Sequence, residues 1–314
     1  MIKPGRWAAV GTLVLVTVLA GLAWASGAVN WNREPPYELT RHWGEKGSGP
    51  GQFDDPTGIA ASADEVFVAD ARNGRIQVFD KQGTFKRAFG TGVVERPMNL
   101  AIADGRLYAP DYFGDVVHVF TLDGGYERAI EAEDGLDSPG GLAVLADGSL
   151  LIADTYGQRV VRLSATGKVL RAWNGTGIGA GAFSYPTDVA VAHGGGFYVA
   201  DGYNDRIQQF GPDGAFVRKW GGPFAVNVFG PFKGWFATVT SVAVGPDGTL
   251  YAADFYNDRI QKFTAEGSFL TAFGTPARGP GHSGIAVALD ADGTVWIANF
   301  AENRLEKWQR AEQP

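Results

Sequence analysis

One phrase recurs six times along the chain, and no other feature limits the fold so tightly. It reads VADARNGRIQVF over 68–79, APDYFGDVVHVF over 109–120 and IADTYGQRVVRL over 152–163. It returns as VADGYNDRIQQF over 199–210, AADFYNDRIQKF over 252–263 and IANFAENRLEKW over 297–308. Successive copies of its acidic position are 41, 43, 47, 53 and 45 residues apart, with Asn299 replacing the acid in the last. A unit of that length cannot bury its apolar face alone, so copies must stack, and the period predicts a repeat architecture.

Each unit keeps one internal order. A short loop ends in proline or a substitute and an apolar stretch follows, PTGIAAS from Pro56 and PTDVAVA from Pro186. A tight hairpin comes next, marked by Asp147-Gly148, Asp247-Gly248 and Asp292-Gly293, pairs that accept positive φ. The phrase supplies a second strand, a turn and a third strand, and a fourth such as AFVRKWG over 215–221 ends the unit. Four strands of period-two alternation make one antiparallel blade. Six in succession make an all-β, six-bladed β-propeller. The last unit lacks its fourth strand, while an unmatched one, YELTRHWG over 37–44, precedes the first. That strand is predicted to complete the sixth blade and cover an edge otherwise open to pairing.

Units of the form P-x-G-I-A … Y-V-A-D-x-x-N-x-R-I-Q-x-F … F-G resemble NHL repeats across residues 37–310. The resemblance implies the propeller but no single activity, because such propellers serve unrelated roles. The lyase domain that completes peptide amidation shares the fold, with a zinc held by histidines after the proline of three blades. Taken as equivalent here are Thr57, Met98, Gly140, Thr187, Thr240 and Ser283, with His282 one place early, so that zinc set is not expected. Lactonases and arylesterases of six blades use a Glu/Asn/Asp calcium site. Asn99 and Asp188 are oxygen ligands of a suitable kind, without a glutamate to complete the set.

The N-terminus indicates where the propeller works. Lys3 and Arg6 are followed by 23 uncharged residues, 7–29, long enough as a helix to cross a bilayer. The positive flank predicts a single-pass anchor in a bacterial-type cytoplasmic membrane with the propeller on the periplasmic side. The competing reading is a signal peptide cut near Ala23-Trp24-Ala25, which would release a secreted protein. The organisation expected is an anchor at 1–29, a linker at 30–36, the propeller at 37–310 and a tail at 311–314. The remainder of the chain holds 25 basic and 34 acidic residues, a net charge of −9, so nucleic acid is not an expected partner. The chain has no cysteine, which excludes disulfides, thiolate metal sites and cysteine nucleophiles.

Three sets of residues are candidates for function. Asp70 with Arg75, Asp154 with Arg159, Asp201 with Arg206 and Asp254 with Arg259 pair at a spacing of five, and a device repeated once per blade reads as a structural tie for its turn. Blade two carries Gly114 and Val116 in place of Asn and Arg, and its turn is expected to be the weakest. Asn99, Asp188 and His282 lie at starts of inner strands and are the suspects for acid–base or metal chemistry at the channel mouth. The longest spacing holds GGPFAVNVFGPFKGWFATVT over 221–240, with Phe224, Val228, Phe229, Phe232, Trp235 and Phe236 and one charge. Such a loop either plugs the channel or forms a contact surface for a partner subunit or the membrane. The expected function is a membrane-anchored scaffold for protein or ligand binding, an accessory subunit of a membrane complex, with no cofactor. The alternative is a metal-dependent hydrolase or lyase, lactonase- or amidoglycolate-lyase-like, with calcium in the channel.

Overall fold

A computed structural model describes residues 34–274, 282 and 284–311, and in these the chain forms six four-stranded antiparallel sheets. The anchor or signal segment expected at 7–29 lies outside the described residues. Among those described, no helix is long and apolar enough to cross a membrane. The sheets follow the chain in order, and the sixth is completed from the front. Tyr37–Trp43 pairs with Arg304–Arg310, from Tyr37 opposite Arg310 to Trp43 opposite Leu305. The last strand therefore has no free edge, as the leftover sequence at each end requires.

The core lies between the blades rather than within one. Six apolar clusters sit at the six junctions, each fed by the alternating inward residues of two neighbouring sheets. Blade six meets blade one through Trp296, Phe53, Phe79 and Val66, all wholly or almost wholly buried. A phenylalanine in the linker before a blade, Phe53, Phe183 or Phe236, is fully buried in three of these clusters. Truncating a side chain of this kind costs ~3–5 kcal/mol, which explains an aromatic at that place.

Strand direction sorts the connections onto two faces. Inter-blade linkers and the turns of the repeated phrase share one face, and the two other hairpins of each blade share the opposite one. Glu34, where the described chain begins, accepts hydrogen bonds from Lys262 Nζ and Arg310, and Lys262 also meets Asp247 in a blade-five hairpin. The chain thus enters at the hairpin face.

The register corrects one sequence alignment. Gly284 pairs with Asn299 as Pro186 pairs with Asp201. The blade-six counterpart of Thr57 and Thr187 is therefore Ile285, not Ser283, and His282 lies two residues before the strand. Blade six contains no proline to mark its start, so the sequence offered no anchor for that count.

Candidate functional site

The acid of the repeated phrase gathers a turn and a linker at once. Asp70 accepts the linker N–H of Asp54, the Asn73 amide, Arg75 Nε and the Gln77 amide, and Arg75 Nη2 donates to the carbonyls of Gly49 and Gln52. The same set recurs at Asp201 and Asp254, with Arg206 and Arg259 at 2.7 Å, and Arg159 stands 2.6 Å from Asp154. In blade six the roles are exchanged: Glu306 supplies the carboxylate and Asn299 donates to it at 2.7 Å.

Blade two lacks both the asparagine and the arginine. Asp111 is served by the N–H groups of Glu95, Arg96, Phe113 and Gly114, with His118 at 3.4 Å. Burial pushes its carboxyl up, but His118 and these amides outweigh it and hold the group at about 2. No guanidinium reaches from this turn to the linker carbonyls. Amides at 112–116 should consequently exchange with deuterium about tenfold faster than those at 202–206, a difference set by local opening. Equal protection by hydrogen-exchange mass spectrometry would show that the missing arginine is immaterial.

The long loop is neither a plug nor one continuous contact surface. Residues 230–236 repeat an ordinary linker: Gly230, Pro231, Phe232 and Trp235 offer carbonyls to Asn257 and Arg259 just as Gly177, Ile178, Gly179 and Ala182 do to Asn204 and Arg206. Phe236 belongs to the core between blades four and five, and Phe232 and Trp235 stack edge-on at 4.8 Å, half-buried. The true insertion is 222–229. It folds over blade four, where the Ala225 carbonyl accepts from Arg206 and the Asn227 N–H bonds Asn204. Phe224, Ala225 and Asn227 take left-handed φ, a costly conformation for the first two. The result exposes Phe224 by 90% and Phe229 by 71%, with Val228 beside them. This face lies opposite the one on which the described chain begins at Glu34.

At the channel axis the third residues of five inner strands, Gly58, Gly141, Asp188, Ser241 and Ala286, form a belt with Asn99, which holds the equivalent place just before the short inner strand Ala101–Ala103 of blade two. Asn99 Nδ2 donates to Asp188 Oδ2 at 2.7 Å and to Ser241 Oγ at 3.1 Å. Asp188 also accepts the N–H groups of Val189 and Val242, and Ser241 Oγ accepts that of Val287. A Cβ on Gly141 would stand 1.9 Å from Asp188 Oδ1, so that position must be glycine. Asp188 is wholly buried with no cation beside it among the described residues, and burial pushes its carboxyl up to about 7 despite the donors around it.

Of the three suspects, the fold joins Asn99 and Asp188 and leaves His282 elsewhere. His282 packs in the linker against Tyr256 at 4.7 Å, with its Nδ1 3.5 Å from Asp258. Asn99 turns its amide nitrogen toward Asp188, the geometry of a hydrogen bond rather than of shared ligation. Among the described residues, no group of three or more His, Asp or Glu is placed to hold a metal ion. Asp188 lies at the middle of the channel, not at its mouth.

The mouth has a different character. A pocket of about 250 Å³ opens on the linker face above Asn99, walled by Thr57, Met98, Thr187, Thr240 and a set of aromatic rings. Phe113, Tyr112, Tyr156, Tyr185 and Tyr203 follow one another edge-to-face across blades two to four, with centroids 5.6, 5.9, 5.2 and 4.9 Å apart. Phe255, Tyr256 and Phe300 extend the cluster through blades five and six. Phe113, Tyr156, Tyr203 and Tyr256 are each more than half exposed. Sequence reasoning missed this arc although its signal lay inside the repeated phrase: the second residue after the acid is aromatic in blades two to five.

Comparison with known proteins places the repeats. The NHL repeat model matches residues 53–79 and 183–210, each running from a linker phenylalanine to the end of a third strand. The chain is 31% identical over 139 residues to protein brain tumor of Drosophila melanogaster, covering 41% of this chain and 13% of that protein. It is 30% identical over 134 residues to the human E3 ubiquitin-protein ligase TRIM32, covering 37% of this chain and 20% of the ligase. The chain thus spans only a small part of either relative. Virginiamycin B lyase from Staphylococcus aureus has the same fold at a TM-score of 0.59, covering 87% of this chain and 99% of the lyase at 15% identity. Two matched repeats, six sheets in a closed ring and propellers among the structural neighbours lead to one statement: this chain is a six-bladed β-propeller that carries NHL repeats at residues 53–79 and 183–210.

Proposed function

We propose that this chain is a protein-binding scaffold, held at its hairpin face by residues 7–29 in a membrane and presenting its linker face to a protein partner, as an accessory subunit of a membrane complex. One observation carries the reading: six of the eight exposed aromatics among the described residues, Phe224 and Phe229 with Phe113, Tyr156, Tyr203 and Tyr256, gather on the face opposite the chain's entry at Glu34. Apolar side chains exposed this far are expensive in water unless something covers them, and large rings are the usual anchors of interfaces. The relative whose name states a role, a ubiquitin–protein ligase, acts on protein, which agrees with a propeller that offers a protein-facing surface. A hydrolase or lyase at the same mouth would need a free acid or base. Asp188 has its acceptor capacity engaged by Asn99, Val189, Val242 and Ser241.

The test is a double substitution, Phe224→Ala with Phe229→Ala, in full chain purified in mild detergent from cells that produce it. Both side chains point to solvent, so the melting temperature should be unchanged. The amount of partner retained per propeller should fall by about tenfold, as for loss of two interface anchors. A variant that keeps its partner in full would refute the scaffold role of this loop.

A further inference from the structure

We propose that the tyrosine arc takes a proline-rich segment of the partner in polyproline II conformation. The inference rests on the scaffold reading and specifies the chemistry of what docks there. Charge narrows the choice first. None of the described residues lining the pocket is Asp, Glu, Lys or Arg, in a chain whose formal net charge is −7, and Arg96 meets the arc at its outer end, 5.6 Å over the Phe113 ring. An ionic ligand would lose its hydration there without gaining a counter-charge.

Hydrogen bonding narrows it further. The wall offers hydroxyls: Tyr156 and Tyr203 at the rim, and Thr240 Oγ1, which is buried with no partner among the described residues. Burial raises the Tyr112 phenol well above its usual range, so it stays protonated. A prolyl segment brings carbonyl acceptors and few N–H groups that need an acceptor in return. Shape and length agree. The Tyr156 and Tyr203 rings are each more than half exposed, and flat pyrrolidine rings pack on exposed aromatic rings, the mode by which aromatic-lined grooves bind such segments. The arc crosses three blades through Phe113, Tyr156 and Tyr203. At ~3.1 Å rise per residue, about six residues of polyproline II follow it, whereas a single sugar ring would cover one or two aromatic rings.

The probe is fluorescently labelled decaproline, titrated against detergent-solubilised full chain, with a Gly-Ser peptide of equal length as control and maltohexaose as competitor. Decaproline should bind at least about tenfold tighter than the control. Tyr156→Ala with Tyr203→Ala should remove that preference, and the corresponding pair of Tyr→Phe changes, which keeps the rings, should retain part of it. No preference for decaproline, a preference that survives loss of both tyrosines, or binding of maltohexaose alone would each overturn the inference. If the native partner is lost with Phe224 and Phe229 but decaproline does not bind, this inference fails and the scaffold reading stands. If the partner survives loss of both the phenylalanines and the tyrosines, the scaffold reading itself fails.

Discussion

Replacing Arg206 by alanine should cost the folded state ~3–5 kcal/mol, the range for breaking a buried ion pair by removing one member. Its side chain and that of Asp201 are both 0% exposed, whereas the equivalent Arg259 is 16% exposed. The difference comes from the insertion, which lies over the guanidinium and accepts from it through the Ala225 carbonyl. Alanine would leave the Asp201 carboxylate and the carbonyls of Ile178, Gly179, Ala182 and Ala225 without this donor. Water can reach the turn of blade five, so Arg259→Ala should cost only ~1–2 kcal/mol. Lysine at 206 restores a charge but not the planar fork, and should recover only part of the loss. Urea midpoints of the three variants decide the matter, and equal losses for the alanine variants at 206 and 259 would show that the cover contributes nothing.

The second large effect is a pH dependence located at Asp188. Its folded carboxyl lies at about 7, above the ordinary value of ~3.9 for an unfolded chain. With the folded value raised, the contribution of the neutral acid is fully present below about pH 4 and is lost as pH rises through 7. Three units of displacement correspond to a loss on the order of 4 kcal/mol. Asp188→Asn has no proton to lose, though its amide would face the N–H of Val242 and impose a constant penalty. The stability advantage of wild type over this variant should therefore shrink by several kcal/mol between pH 4 and pH 8. Denaturant titrations at four pH values measure it. A constant difference would mean that Asp188 does not change charge in this range and that the belt is not under strain when ionised.

Part of this molecule follows from short stretches of chain. Alternation of apolar residues, Asp-Gly turns and the Ala-Asp…Arg spacing are local, so the strands, the turn ties and the number of blades can be read without coordinates. Ring closure is nearly as local, because YELTRHWG and the missing fourth strand are two ends of one count. The reading of 221–240 as a single apolar loop went astray because composition does not tell a linker from an insertion. Phe236 occupies the buried place of Phe53 and Phe183, and only Phe224, Val228 and Phe229 remained to face solvent.

What tertiary structure alone decided is everything assembled across the axis. Asn99 meets Asp188 and Ser241 over separations of 89 and 142 residues, and no periodicity within one blade encodes such a meeting. His282 was assigned to that group through an alignment two residues out of register, which the pairing of Gly284 with Asn299 corrects. The aromatic arc had its signal in four copies of the phrase, those of blades two to five, yet a ring in a turn looks ordinary until closure brings neighbouring turns within about 6 Å. Local chemistry made the blades alike. Closing them into a ring placed their differences side by side, and those differences form the belt and the aromatic face.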